Sequence, residues 1–176
     1  VVSHHIVKDP QFIQSFRSEV RAMAGLNHPG IAMVFDQGEI SQEAAAASGG
    51  KLVAGGPYLV MEYVKGQDLK AIVEESGPLD FEKAARYIAQ AAKGLEYVHQ
   101  QGLIHRDIKP ENLVFDATGY LKLTDFGIAR EWAPDVDNYN ETSGTPGYMA
   151  PEVMCKNNHG IAADYFAVGV IAWECM

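Results

Sequence analysis

Two aspartates, Asp107 and Asp125, lie 18 residues apart, and each belongs to a short polar motif. The first motif reads His105-Arg106-Asp107-Ile108-Lys109-Pro110-Glu111-Asn112, the second reads Asp125-Phe126-Gly127, and a third, Ala150-Pro151-Glu152, follows them. The first motif comes after a segment with helical periodicity, and residues 121–123, in which two leucines alternate with Lys122, read as a strand that leads towards Asp125. The chain therefore has to combine helices and strands in such a way that the loops between them present these polar side chains.

The three motifs, in this order, resemble those of the catalytic domain of eukaryotic-type (Hanks-type) Ser/Thr protein kinases. The resemblance extends over essentially the whole chain and implies an α+β fold of the protein-kinase-like, two-lobe kind. Residues 1–64 would form part of the small lobe, with the C-helix, strands and hinge. Residues 65–176 would form part of the large lobe, with the catalytic loop, the activation segment and the start of the buried F-helix.

The chemistry of a kinase explains why these residue types are needed. Transfer of a γ-phosphoryl group depends mostly on positioning an acceptor hydroxyl and on neutralising charge at the phosphate oxygens. The resemblance implies that Asp107 orients the substrate hydroxyl and that Lys109 reaches the transferred phosphate. Asn112 and Asp125 would hold Mg²⁺, which prefers hard oxygen ligands. Any one of these residues alone would more often be a turn or surface residue, so the prediction depends on the whole set.

A second set of residues matches the positions at which the family binds ATP. Glu19, on a predicted helix, matches the glutamate that pairs with the nucleotide-binding lysine, although an ordinary solvated helix charge is the alternative. Asp68 matches an acidic position near the ribose, or it simply caps the helix that follows. The predicted ATP-binding residues are Glu19, Met61 as gatekeeper, Glu62 and Val64 as backbone partners of adenine, Asp68, and Val114 below the adenine.

The segment from Asp125 to Glu152 resembles an activation segment. The resemblance implies that Arg106 pairs with a phosphate introduced on this segment, and Thr142 and Ser143 are the candidate acceptors. Thr145 lies in a stretch that resembles the substrate-docking segment of Ser/Thr kinases, where it would contact Asp107 and Lys109. This arrangement favours Ser or Thr acceptors in protein substrates over Tyr.

The periodicity of apolar residues gives the expected elements. We predict helices over residues 10–26, 69–75, 81–100 and 161–176, strands over 31–35, 58–64, 113–115 and 121–123, and a flexible loop over 43–56. Asp80 is expected to cap the helix 81–100, whose inner side would hold Ala84, Ala85, Ile88, Ala92, Leu95 and Val98. Asp164 falls within the apolar last helix, where it is costly unless hydrogen-bonded, and in the family it anchors the backbone of the catalytic loop.

Composition excludes several other classes of function. The 14 Lys and Arg residues against 23 Asp and Glu give a net charge of −9, so we expect no nucleic-acid partner. No segment approaches the ~20 apolar residues that cross a bilayer, and we expect no membrane contact from this segment. The two cysteines lack a metal or disulfide spacing, which is typical of reduced thiols in a cytoplasmic protein.

Neither a G-x-G-x-x-G nor a G-x-x-x-x-G-K-[ST] sequence is present, so the phosphate-binding loop and the lysine expected before Glu19 would lie upstream of Val1. We therefore expect the chain to be an incomplete kinase segment that is inactive in isolation. Two alternatives are a non-catalytic kinase-like interaction module and a small-molecule phosphotransferase. Intact Asp107, Asn112 and Asp125 argue against the first, and the Ala150-Pro151-Glu152 motif argues against the second.

Overall fold

The computed structural model describes residues 20–21, 23–126, 144–156 and 159–176. They divide into two compact units, of which the first includes residues 33–62 and the second includes residues 27–32 and most of the chain from residue 63 onward. Helical backbone is present at residues 20–21 and 23–24, and the rest of the predicted helix 10–26 lies outside the described residues apart from its last turn.

The first unit contains an antiparallel pair of strands, β1 (Val34–Glu39) and β2 (Pro57–Met61). The strand predicted over 31–35 begins later, at Val34. Ile31 belongs to the second unit, where it forms an isolated bridge with Leu123 of the same unit. The buried strand predicted over 58–64 ends at Met61 and is not fully buried. Tyr58 and Val60 are 41% and 42% exposed, as is usual when one face of a two-stranded antiparallel pair meets solvent.

The prediction of a flexible loop over residues 43–56 is wrong for its first part, because residues 43–47 belong to the helix α1 (Gln42–Ala47). Ser41 caps this helix by accepting a hydrogen bond from the Ala44 amide at 3.1 Å. The run of four alanines has the highest intrinsic helix propensity, and this local preference outweighs the expectation of a flexible Ala- and Gly-rich segment. No residue of α1 is buried.

The second unit holds four helices within the described residues: α2 (Leu69–Ser76), α3 (Phe81–Gln100), α4 (Pro151–Lys156) and α5 (Ile161–Glu174). Strands β3 (Leu113–Phe115) and β4 (Leu121–Leu123) form the predicted hairpin, and a single 3₁₀ turn, Pro110–Asn112, precedes it. The core forms where α3 packs against both β4 and α5. Its fully buried side chains include Leu69, Leu95, Leu113, Leu121, Leu123 and Ile171.

Helix α3 has the predicted bounds, and Asp80 caps it by accepting from the Lys83 amide at 2.9 Å. The predicted inner side of α3 is partly wrong, because Ala85 is exposed while Ala91 and Gly94 are buried. The buried stripe through Ala84, Ala91, Leu95 and Val98 follows the 3.6-residue period, which leaves Ala85 on the margin. Helix α5 ends at Glu174, two residues before the predicted end. In the part of the chain that the structure describes, no helix has the length and apolar character needed to cross a membrane.

Candidate active site

The loop that carries the first motif follows α3, and most of its residues are buried. Gly102, with φ of 76°, reverses the chain after α3, and the chain then enters the motif. His105, Asp107 and Asn112 have exposed fractions of 0%, 6% and 3%. Buried polar groups of this kind are stable only with hydrogen-bond partners, so the contacts of these residues define the site.

Asp164 of α5 supplies two of those contacts to the loop backbone. Its Oδ2 accepts from the His105 amide and its Oδ1 from the Arg106 amide, both at 2.9 Å. Burial favours the neutral acid, but hydrogen bonds from His99 and from the amides of His105 and Arg106 outweigh burial and lower the pKa of Asp164. The contact predicted between Asp164 and the loop backbone is present.

The backbone is strained on either side of the site. Arg106 and Asp125 have φ of 70° and 52°, and they are the non-glycine residues in this left-handed region within the described part of the chain. Such residues persist only where surrounding contacts fix them, and they concentrate at functional sites. One precedes Asp107 directly, and the other is itself a predicted metal ligand.

Asp107 contacts three of the other predicted catalytic residues. Thr145 donates from Oγ1 to Asp107 Oδ1 at 2.8 Å. The ammonium group of Lys109 lies 3.8 Å from Asp107 Oδ2. Asn112 donates from Nδ2 to the Asp107 carbonyl oxygen at 2.7 Å and to Oδ2 at 3.3 Å. The structure thus brings together a carboxylate, a cation, a hydroxyl and an amide, as the motif predicts.

The segment with Thr145 is itself held against α5. The Tyr148 amide donates to the Thr145 carbonyl at 3.1 Å, and the Tyr148 hydroxyl donates to Glu174 Oε2 at 2.7 Å. Burial and the hydrogen bond to Glu174 raise the pKa of Tyr148, so its hydroxyl keeps its proton. These contacts fix the position from which Thr145 reaches Asp107.

Asn112 also connects the loop to Asp125, because its Nδ2 lies 3.4 Å from the Asp125 carbonyl oxygen. With the amide nitrogen directed at protein oxygens, the amide oxygen of Asn112 is the atom suited to a hard cation. The Asp125 side chain is exposed and is engaged in no hydrogen bond or ion pair with another described residue. The described residues contain no cluster of three or more His, Cys, Asp or Glu side chains that could hold a metal ion. Where phosphate oxygens complete its coordination, Mg²⁺ usually takes only one or two carboxylate ligands from the protein.

His105 is a residue whose role the sequence did not predict. Its Nε2 donates to the Thr124 carbonyl at 3.0 Å, its Nδ1 accepts from the Asp107 amide at 3.4 Å, and its ring lies 4.4 Å from that of Phe126. Burial lowers the pKa of His105, which keeps the imidazole neutral with one donor and one acceptor. The ring therefore joins the Asp107 loop to the segment around Asp125. No feature of the sequence indicated this role, because a histidine in a motif does not reveal which backbone atoms it will contact.

The predicted ATP-binding residues are spread over both units. Met61 and Glu62 lie in the first, where the Glu62 amide donates to the Met33 carbonyl at 2.7 Å. In the second, Asp68 and Val114 form an isolated antiparallel bridge. Asp68 also caps α2 by accepting from the Ala71 amide at 2.8 Å, so the capping alternative is correct for its side chain. Val64 lies in the second unit and is half-buried. Glu19, Thr142 and Ser143 lie outside the described residues.

The sequence matches the protein kinase domain family over residues 2–176. It is 37% identical over 177 residues to the serine/threonine-protein kinase PknA of Mycobacterium tuberculosis, covering 100% of this chain and 39% of that protein. It is also 37% identical over 179 residues to the serine/threonine-protein kinase PknB of the same organism, covering 100% of this chain and 27% of that protein. The chain therefore spans well under half the length of each of these relatives.

Proposed function

The chain belongs to the protein kinase domain family, and on that premise we propose that the protein carrying it transfers the γ-phosphoryl group of ATP to Ser and Thr hydroxyls of protein substrates. The observation that carries this proposal is the cluster around Asp107, in which Thr145, Lys109 and Asn112 contact one buried carboxylate. Few other activities need a carboxylate, an ammonium group and an amide on one loop together with a further carboxylate beside them.

Asp107 has the role of orienting the acceptor hydroxyl and receiving its proton. As the bond from the acceptor oxygen to the γ-phosphorus forms, the bond from phosphorus to the ADP oxygen breaks, and the hydroxyl proton passes to an Asp107 carboxylate oxygen. Lys109, already 3.8 Å from Asp107 Oδ2, stabilises the negative charge on the transferred group. The contact from Thr145 limits rotation of the Asp107 carboxylate and so restrains its orientation.

Asn112 and Asp125 would hold Mg²⁺ through the Asn112 amide oxygen and the exposed Asp125 carboxylate. When bound, the cation neutralises charge on the phosphate oxygens. The protein's own contribution is to orient the Asn112 ligand. Its Nδ2 donates hydrogen bonds to the Asp107 and Asp125 carbonyl oxygens, so its amide oxygen is directed away from them.

The remaining roles complete the same proposal. Residues 1–64 are part of the small lobe and residues 65–176 part of the large lobe. Glu19, Met61, Glu62, Val64, Asp68 and Val114 contact the nucleotide. Asp68 can contribute there while capping α2, because a carboxylate accepts several hydrogen bonds.

The preference for Ser and Thr over Tyr is supported by the contacts that Asp107 makes with Lys109 and with Thr145. Both named relatives are serine/threonine kinases by name, which is consistent with this preference. The acceptor is part of a polypeptide, as is general for the family.

The test uses the protein that carries this chain, with radiolabelled ATP and peptides that differ only in having Ser, Thr or Tyr as acceptor. We expect transfer to Ser and Thr peptides, and a loss of at least about 10²-fold in kcat for Asp107→Asn, because an amide cannot accept the proton. Asp125→Asn should lose transfer and should not recover it at higher Mg²⁺. Asp116→Asn is the matched control, since Asp116 is also a loop aspartate but serves only the β3–β4 turn, which Asn can replace.

Transfer by Asp107→Asn and Asp125→Asn at the rate of the unaltered protein would contradict the proposed roles. A protein that binds ATP but transfers nothing, even after phosphorylation of its activation segment, would support the non-catalytic module instead. Preferential labelling of the Tyr peptide would contradict the acceptor class alone.

A further inference from the structure

Glu62 contacts Met33 through its side chain as well as through its backbone. The Glu62 amide donates to the Met33 carbonyl at 2.7 Å, and the Met33 amide donates to Glu62 Oε2 at 3.1 Å. Both residues belong to the first unit, where they lie next to Val34 and Met61, the residues that pair at this end of β1 and β2. A side-chain oxygen therefore takes part in the last pair of hydrogen bonds of the β1–β2 ladder.

The Glu62 side chain occupies the place of a backbone acceptor. In a regular antiparallel ladder, two residues that face each other in this way exchange both bonds, so that each amide donates to the carbonyl of the other. Here the Met33 amide donates to the carboxylate of the same glutamate. A charged acceptor strengthens the hydrogen bond from an amide, so the carboxylate competes well with the neutral carbonyl. The side chain of Glu62 thus substitutes for its own carbonyl in the ladder.

This substitution affects the backbone group that Glu62 offers to a nucleotide. The Glu62 amide already donates to Met33, so its carbonyl is the backbone group suited to adenine. The 6-amino group of adenine is a donor and requires an acceptor. In a regular strand, the amide and the carbonyl of one residue are directed at the same neighbouring strand. A carbonyl that accepted from the Met33 amide would therefore be directed at β1.

We propose that the Glu62 side chain is a positioning group for the binding of adenine. By accepting from the Met33 amide, the carboxylate removes that amide from competition for the Glu62 carbonyl, and it thereby directs the carbonyl to the 6-amino group of ATP. The effect on nucleotide selectivity rests on the proposed contact between Glu62 and ATP. The choice of acceptor by the Met33 amide does not rest on it.

The first test measures how strongly the protein that carries this chain selects the amino group. Calorimetric titration with Mg²⁺ present compares ATP with purine riboside triphosphate, which has hydrogen in place of the 6-amino group. We expect the unaltered protein to bind ATP about tenfold more tightly than the analogue, the effect of one hydrogen bond.

Three variants of Glu62 separate the hydrogen bond from the charge. Glu62→Ala has no acceptor and Glu62→Asp is one methylene shorter, so both should reduce the preference for ATP to about twofold. Glu62→Gln has an amide oxygen that can accept from Met33, and its preference should stay within about twofold of that of the unaltered protein.

Glu43→Ala is the matched control. Glu43 is an exposed glutamate in the first turn of α1, in the same unit, so its removal changes the net charge as Glu62→Ala does. The preference of Glu43→Ala for ATP should equal that of the unaltered protein. A loss in Glu62→Asp, which keeps the charge, together with no loss in Glu43→Ala would identify the hydrogen bond as the cause.

A measurement without nucleotide tests the structural part of the proposal. NMR detection of the scalar coupling across a hydrogen bond identifies the acceptor carbon of the Met33 amide. This carbon should be the side-chain carboxyl carbon of Glu62 in the unaltered protein, and the backbone carbonyl carbon of residue 62 in Glu62→Ala. The readout is independent of kinase activity.

A preference of about tenfold that persists in Glu62→Ala and Glu62→Asp would overturn the proposal. Equal losses in Glu62→Gln and Glu62→Ala would also overturn it, because they would show that the charge matters and the acceptor does not. If Glu62→Ala does not fold, the comparison of Glu62→Asp with Glu62→Gln decides in the same way. Equal binding of ATP and the analogue by the unaltered protein would contradict the proposed adenine contact, and this inference with it, even if the coupling is as expected.

Discussion

Backbone strain in the second unit is concentrated at Arg106 and Asp125, next to or within the predicted catalytic set. Left-handed backbone at such residues costs on the order of 1–3 kcal/mol each, so the contacts around them have to outweigh it. At Arg106 the compensation comes from the hydrogen bond to Asp164, and at Asp125 from the contact of its carbonyl oxygen with Asn112. The strained positions are therefore held by residues outside the strained segments, which keeps the backbone at Arg106 and Asp125 in place.

Gly66 illustrates a different residue-level constraint, set by space alone. A Cβ at this position would overlap the Phe115 carbonyl oxygen and lie 2.9 Å from its carbonyl carbon. We predict that Gly66→Ala lowers the free energy of unfolding by about 1–3 kcal/mol, because the backbone next to β3 must move. Chemical denaturation monitored by circular dichroism measures the change.

The matched control for this prediction is Gly169→Ala in α5. A Cβ there meets nothing within 4 Å, so alanine should be neutral or stabilise the helix by up to about 1 kcal/mol. A Gly66→Ala protein as stable as the unaltered one would contradict the prediction.

At the scale of elements, those with strong local signals could be predicted and those that depend on distant partners could not. Helix α3 begins and ends as predicted because Asp80 caps it and Gly102 stops it, and both signals are local. The β3–β4 hairpin also follows the prediction because its apolar residues flank a short turn. By contrast, the start of β1 depends on where residues 30–32 find hydrogen-bond partners, and Ala32 bonds to the Leu123 carbonyl, far along the chain.

The site shows the same division. The motif residues around Asp107 could be named from the sequence because the three motifs resemble those of a known family. The contacts of His99 and His105 could not, because each is made with an atom more than ten residues away, Asp164 Oδ2 in one case and the Thr124 carbonyl in the other. A buried aspartate in an apolar helix signalled only that some donor had to be present.

The cap of α3 gives an element-scale prediction. Asp80→Ala should lower the free energy of unfolding by about 1 kcal/mol, because the Lys83 amide loses its acceptor. Asp80→Ser, which can still cap, should differ from the unaltered protein by only a few tenths of a kcal/mol. Urea unfolding curves of the three proteins provide the measurement. An equal loss in both variants would show that the carboxylate acts through its charge and not as a cap.

We also propose that phosphate on Thr142 or Ser143 pairs with Arg106 and orders the activation segment. Mass spectrometry after incubation with ATP should locate phosphate on one of these residues. The double variant Thr142→Ala, Ser143→Ala should lose about tenfold in kcat, because the charge-assisted hydrogen bonds to Arg106 cannot form. Ser76→Ala, at the exposed end of α2, is the control and should keep full activity. Full activity of the double variant would exclude the switch.

At the scale of the whole molecule, charge and burial affect the protein in different ways. The net charge of −9 argues against nucleic-acid binding, and the absence of a nucleic-acid partner stays a prediction. The net charge says little about folding. The buried ionisable groups matter more for folding. Asp164 and His105 both lie in the second unit next to the Asp107 loop, and each has a lowered pKa, so acid conditions act on stability at the site itself.

His105 leads to a prediction for stability near neutral pH. Burial lowers its pKa below the ordinary 6.5, so the unfolded chain binds a proton at this residue at a pH where the folded protein does not. Because the unfolded state then binds more protons, the free energy of unfolding rises with pH, and it should decrease as the pH falls below about 6.5.

Urea unfolding of the protein that carries this chain, measured in steps from about pH 8 to about pH 5.5, gives this dependence. In His105→Gln, which keeps a donor towards the Thr124 carbonyl but cannot titrate, stability should be lower at every pH while its decrease below about pH 6.5 becomes shallower. Near pH 8 the two curves should run parallel, since the imidazole is neutral in both states there. An equally steep acid limb in the variant would mean that other groups cause the dependence, and that His105 does not stay neutral through its burial.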